Sequence, residues 1–187
     1  MKRDIFSITE PERLAVPVSR RDHIQGPFDA PLTLLEYGDF ECPVCGMAYP
    51  VVKAVQKNLR DRLRLVFRHF PLTNVHPHSE HAAEAAEAAG KRSAFWPMHD
   101  LLFENQEALE DEDLLEYAAA LGLDSAVIVA EIEAGAYARR VREDFMTGVR
   151  SGVNGTPTFF INEMRYDGSF DVDSLLAALG EASDLEA

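Results

Sequence analysis

Cysteine is scarce in this chain, basic residues are outnumbered, and no apolar run is long. Only Cys42 and Cys45 stand among 187 residues. They are too close together to close a loop that would constrain the unfolded chain, and too few for a four-thiolate zinc site. A pair so placed is there to react. Eighteen Lys and Arg against 32 Asp and Glu leave a formal net charge of −14. That removes the basic face that nucleic acid or an anionic membrane surface requires, so neither is an expected partner; the charge serves solubility. No stretch approaches a membrane span. The start, Met1-Lys2-Arg3-Asp4-Ile5-Phe6, lacks the apolar run of an export signal, and the expected location is therefore the cytoplasm. With an apolar share of 47 %, the chain has material for one domain, or one domain carrying an insertion.

The chain is organised around Leu32-Thr33-Leu34-Leu35-Glu36-Tyr37-Gly38-Asp39-Phe40-Glu41-Cys42-Pro43-Val44-Cys45. An apolar strand runs into a short turn and then into two cysteines spaced C-x-x-C where a helix begins. Pro43 suits a first helical turn, since its missing N–H would have no intrahelical partner. Met47, Val51, Val52, Val55 and Leu59 follow on one helical face. Cys42 thus sits at a helix N-terminus, where unpaired N–H groups and the helix dipole favour a thiolate. Cys45 lies about one turn further in. A C-x-x-C beside a strand–helix pattern is the sign of a redox site.

Taken in order, residues 1–12 are polar and expected to be loosely held, and Leu14 to Val18 is expected as a short edge strand because Pro17 cannot donate to an interior ladder. Residues before Gly26 are expected to lie outside the minimal fold. Gly26-Pro27-Phe28-Asp29-Ala30-Pro31 is a loop rich in breakers. Arg62 to Phe70 forms a second strand, giving a βαβ unit with parallel pairing. From Thr73 to Gly148 the pattern is helical: Ser79 capping a helix that stops at Gly90, Phe95 to Asn105, Asp111 or Asp113 to Gly122, Ser125 to Ala134 capped by Asp124, and Tyr137 to Val149. Strand character returns at Thr158 to Ile161 and, after a turn at Asn162-Glu163, at Arg165-Tyr166. A last helix is expected to end at Gly180, leaving a frayed tail of seven residues.

Gly155-Thr156-Pro157-Thr158-Phe159-Phe160 is the second informative stretch, with a proline placed where only the first residue of a strand accepts one. Together with Cys42-Pro43-Val44-Cys45 it makes the chain resemble the DsbA-like branch of the thioredoxin superfamily. The resemblance runs from Gly26 to Leu179 and implies an α/β fold, a thioredoxin fold interrupted by a helical insertion. The implied division is an N-terminal arm and edge strand over 1–30, a thioredoxin-like core over 31–72 and 148–187, and the insertion over 73–147.

It also implies a thiol–disulfide oxidoreductase acting on protein or peptide thiols and disulfides, with no cofactor, no metal and an unidentified redox partner that recycles it. Cys42 would be the nucleophile and Cys45 the resolving thiol. Pro157, in cis, would keep the loop beside Cys42 open so that substrate backbone pairs with Thr156 as an added strand. Pro43 and Val44 would touch substrate. Glu36 lies where relatives carry a buried acid; its apolar neighbours imply a raised pKa and proton exchange with Cys45. Two other readings stay open: a glutathione-linked enzyme of the kappa transferase type, against which the intact cysteine pair counts, and a non-catalytic peptide-binding module.

The chain departs from the DsbA oxidants in having Pro-Val, not Pro-His, between its cysteines. Val44 removes a cationic partner, while Asp39 and Glu41 bring negative charge. The expectation is a raised Cys42 pKa and a reducing pair. Lesser features read as structural: His76, His78 and His81 at a helix start, His99 as a hydrogen-bonding histidine, Phe95 and Trp96 as helical core, and Arg139, Arg140 and Arg142 as a solvated helix face making i, i+4 pairs.

Overall fold

A computed structural model describes residues 13–184; the expectation about residues 1–12 lies outside them. Five strands form one sheet: β1 (His23–Gln25), β2 (Leu32–Gly38), β3 (Leu63–His69), β4 (Thr158–Ile161) and β5 (Met164–Tyr166), in the order β1-β3-β2-β4-β5. Helix α1 (Pro43–Leu59) connects β2 to β3, which pair in parallel from Leu32 opposite Leu63 to Gly38 opposite His69. The other pairings are antiparallel. Between β3 and β4 run α2 (Ser79–Gly90), α3 (Phe95–Glu104), α4 (Asp111–Ala120), α5 (Ser125–Glu133) and α6 (Ala138–Arg150), and α7 (Val172–Asp184) ends the described chain.

Strand alternation sorts β2 into two cores. Leu32 and Leu34 pack with Val52 and Val55 of α1 and Leu175 and Leu179 of α7. Leu35 and Tyr37 face the other way, onto Val66, Phe70, Phe160 and Phe145 of α6. Glu36 shares the parity of Leu32 and Leu34, so it points toward α1. A third core belongs to the helical insert, where the alanines of α2 meet Met98, Leu102, Leu114 and Ile128; Phe40, Cys42, Cys45 and Phe67 join it. The cysteines therefore sit where the end of the sheet meets the insert.

The N-terminal segment differs from expectation. The edge strand is β1, at His23–Gln25, not Leu14 to Val18. Leu14 is buried, its N–H bonds to the Glu163 carbonyl at 2.8 Å, and Arg13 makes a single bridge to Met164. The reason is Arg68. Its guanidinium donates to the carbonyls of Val16 (2.9 Å) and Pro17 (3.1 Å), to both Asp22 oxygens (2.7 and 3.2 Å) and to the Tyr37 hydroxyl (3.0 Å). Carbonyls aimed at a buried cation cannot pair along a sheet edge. Residues 13–25 are thus part of the fold. Gly26, at φ +100°, makes the turn out of β1, and a Cβ there would meet the Leu63 carbonyl oxygen at 2.3 Å.

Two helix ends also differ. His78, not Ser79, stands at the N-cap position of α2, without a side-chain capping bond, while the Ser79 hydroxyl donates to the His76 carbonyl from the first turn. Helix α7 continues through Gly180 to Asp184, because glycine costs a helix only about 1 kcal/mol and Ala182 still packs on the core.

Arg68→Met leaves the buried Asp22 carboxylate without its cation and should cost about 3–5 kcal/mol of folding stability. Urea unfolding measures it; a loss under about 1 kcal/mol would mean that the arm is not held this way.

Candidate active site

Cys42 is the N-cap residue of α1 with extended backbone (φ −73°, ψ 120°), and Pro43 opens the helix. A turn closes behind it: the Cys42 N–H donates to the Asp39 carbonyl and the Gly46 N–H to the Cys42 carbonyl, each at 3.1 Å. Both cysteines are buried free thiols. The Cys42 Sγ–H donates to the Thr156 carbonyl at 3.4 Å, and the Thr156–Pro157 bond is cis. Two segments 114 residues apart thus meet at one sulfur. Val44 and Met47 are exposed on the turn that carries it.

The two thiols differ electrostatically. The hydrogen bond from the Cys45 thiol lowers the Cys42 pKa most; burial opposes it, and the Thr156 side chain and the N–H groups of Cys45 and Val44 add to the lowering. The result is a pKa of about 5 against an ordinary 9.0. The Thr156 hydroxyl is buried and has no partner while Cys42 is a thiol, so it is free to donate once the sulfur ionises. For Cys45, burial first, then its hydrogen bond to Cys42 and the charges of Glu36 and Cys42, push the pKa well up.

Glu36 is 3 % exposed on the central strand β2, opposite Phe67 of β3 and Phe159 of β4. Its Oε1 has no hydrogen-bond partner. Burial, then the Cys42 charge, raises its pKa to about 8.

The expectation that Asp39 and Glu41 raise the Cys42 pKa fails on orientation. Asp39 Oδ1 accepts from the Glu41 N–H (2.9 Å), and Oδ2 accepts from the Leu72 N–H (2.8 Å) and lies 2.8 Å from His76 Nδ1. Glu41 Oε2 accepts from the His78 N–H at 2.7 Å. Both carboxylates fasten the turn to the loop before α2. What acts on Cys42 is the N–H groups and hydroxyl around it, which pattern reading under-weighted against formal charge.

Gln106, in the loop after α3, is a residue that sequence reasoning missed. Its Nε2 donates to the carbonyls of Phe40 (2.7 Å) and Cys42 (2.9 Å). A Cβ on Gly46 would fall 1.9 Å from its Oε1, so the glycine after C-P-V-C makes room for this clamp from the insert. Only the 66- and 64-residue separations of these bonds hide it. The other histidines scatter: His81 pairs with Asp111 at 2.7 Å, and His99, buried among Phe40, Phe67 and Phe103, pairs with Asp100 at 3.1 Å. In α6, Arg139 pairs with Glu143 at i, i+4 on an exposed face, as expected; Arg140 pairs with Asp144 at the same spacing but faces inward, because Asp144 is buried, and so departs from the solvated face expected of it.

The family model described as thioredoxin matches residues 19–181. The chain belongs to the thioredoxin family. Its fold is the DsbA-like one: BdbD from Bacillus subtilis superposes with a TM-score of 0.82 at 22 % identity, covering 90 % of this chain and 96 % of that one. A thioredoxin-like oxidoreductase from Silicibacter pomeroyi gives 0.78 at 24 %, over 89 % and 94 %. At such identities the likeness concerns fold alone. Two sequence relatives are proteins named Na(+)/H(+) antiporter NhaA: one from Salinispora arenicola is 48 % identical over 170 residues, and one from Herminiimonas arsenicoxydans is 46 % identical over 162. These stretches are 90 % and 87 % of this chain, which spans about a quarter of each relative (26 % and 25 %). Among the described residues, no helix of this thioredoxin-family chain is long and apolar enough to cross a membrane.

Titrated by thiolate absorbance, reduced protein should show one thiol ionising near pH 5. Cys45→Ala should move that midpoint upward, toward the ordinary thiol range, because the largest lowering contact is gone. An unchanged midpoint would assign the effect to the Thr156 side chain and the helix N-terminus without the Cys45 thiol.

Proposed function

We propose that the chain is a thiol–disulfide oxidoreductase that exchanges disulfides with protein or peptide thiols. The observation that carries this reading is two free thiols spaced C-x-x-C at the start of α1, the first meeting the loop that holds the cis Thr156–Pro157 bond; with it goes a division between the thiols, the Cys42 pKa drawn down and the Cys45 pKa pushed up. Neither a structural disulfide nor a binding module needs that division.

In the reducing direction, the Cys42 thiolate attacks one sulfur of a substrate disulfide. A mixed disulfide forms, and the other substrate sulfur leaves as a thiolate. Cys42 has then lost its charge, which was one of the two causes holding the Glu36 pKa up. The Glu36 pKa falls, although burial, the larger cause, still holds it up; a Glu36 that has given its proton to solvent can take the Cys45 proton as general base. The Cys45 thiolate attacks the Cys42 sulfur, closing the internal disulfide and releasing the second substrate sulfur. The oxidising direction is the same path reversed. Substrate backbone would lie along Thr156 and Pro157, with apolar side chains over Val44 and Met47.

The acidity of Cys42 sets the direction. A stabilised thiolate favours the reduced form, so the disulfide accepts electrons more readily than one whose thiol has an ordinary pKa. The reading is therefore an oxidant of substrate dithiols, the reverse of what Val44, Asp39 and Glu41 imply when read as formal charges. The antiporter names belong to relatives about four times longer, and no ion transport is carried over from them.

An insulin-reduction assay tests the reading. The unmodified chain should accelerate reduction over dithiothreitol alone, Cys42→Ser should abolish the acceleration, and Cys45→Ser should accumulate mixed disulfide. Turnover of glutathione conjugates with no acceleration of insulin reduction would favour the small-molecule reading. Inactivity in both assays would overturn catalysis.

A further inference from the structure

Three metal-ligating groups meet away from the cysteines, carried by three different elements: His23 on β1, His69 at the end of β3 and Glu87 on α2. The Nε2 atoms of His23 and His69 lie 2.7 and 3.0 Å from the same oxygen, Glu87 Oε1, and the three ligand atoms fall within 4.8 Å of one another. A tetrahedral ion with bonds of about 2.0–2.1 Å holds its ligand atoms roughly 3.3 Å apart. The cluster needs only small shifts to reach that spacing.

The ligands are held in place before any ion arrives. The His23 ring stacks on Phe95 at 3.5 Å between centroids and 2° between planes. Gly90 lies beside this stack, where an added Cβ would come 3.3 Å from the His23 ring and 3.4 Å from Phe95. His69 is wedged edge-on against Phe40, Phe67 and Phe95.

Arg140 bonds to buried Asp144 and reaches to 3.6 Å from Glu87 Oε1, so the carboxylate end of the cluster is anchored from α6 as well. A cavity of about 450 Å³, lined in part by His23, Glu87, Tyr137 and Arg140, opens the site to solvent.

We propose that His23, His69 and Glu87 bind one divalent ion of the zinc class, through two imidazole nitrogens and a carboxylate oxygen, with a fourth position open to this cavity. The ion would tie the N-terminal edge strand, β3 and the insert together, so that metal binding stabilises the fold. The site is independent of the redox chemistry.

The test uses the full chain with Cys42 and Cys45 oxidised to their disulfide, so that no thiolate competes. After stripping with a chelator, it is titrated with zinc chloride alone by calorimetry and thermal unfolding. The expected result is one zinc per chain and a raised melting temperature. His23→Gln and Glu87→Gln should each weaken binding by on the order of 100-fold, since even outer-shell partners are worth roughly 10–100-fold, whereas His81→Gln should leave it unchanged. If a variant fails to fold, imidazole proton resonances of the unmodified protein decide: those of His23 and His69 should shift with zinc. No uptake, shifts confined to His76, His78 or His81, or an affinity unchanged in both ligand variants would overturn the proposal.

Discussion

A negative charge on the Cys42 sulfur is held by dipoles, because among the described residues none of the groups that act on it is a cation. The position between the cysteines that might carry one is Val44, and the nearby carboxylates belong to Asp39 and Glu41. The charge is held instead by the Cys45 thiol, the Thr156 side chain and the N–H groups at the start of α1. These groups work only if α1 begins at Cys42, if the loop before β4 comes back to the same sulfur, and if the turn between β2 and α1 is rigid. Asp39, Glu41 and Gln106 supply that rigidity, joining the turn to the loop before α2 and to the loop after α3. The insert is thus part of how the redox turn is held.

The same constraint explains the buried acid. Glu36 is covered on both sides by strands and lies under α1 because strand parity puts it there. Its carboxyl and the two thiols couple: a charge on Cys42 raises the pKa of Glu36, and charges on Glu36 and Cys42 raise that of Cys45. Three groups near one another cannot all ionise at low dielectric cost, so the first charge settles on the one group with donors around it. This orders the proposed reaction without any side chain having to move far.

What the sequence disclosed follows the range of the interactions involved. The βαβ unit, the helical insert and the β4–β5 hairpin are legible because their signals are local: alternation in Leu32 to Tyr37, three- and four-residue spacing after Cys45, and a turn at Asn162-Glu163, where both residues take positive φ. The C-x-x-C and the proline before β4 stood out because each is a local departure from pattern. Strand β1 was missed because three half-buried residues carry no periodicity. The Arg68 anchor joins residues 31 to 52 positions apart, beyond any spacing rule. The sign of the effect on Cys42 was missed for a related reason: a sequence lists charges but not which way carboxylates face.

The central claim is that dipoles at the α1 N-terminus and the Thr156 loop outweigh the lack of a cation and make Cys42 an acidic thiol. The most direct measurement is the equilibrium potential of the Cys42–Cys45 pair in a glutathione buffer. The account predicts a value well above the roughly −270 mV of reducing thioredoxins, toward the roughly −120 mV of the DsbA oxidant. A potential at or below the thioredoxin value would contradict it and return the decision to Val44, Asp39 and Glu41.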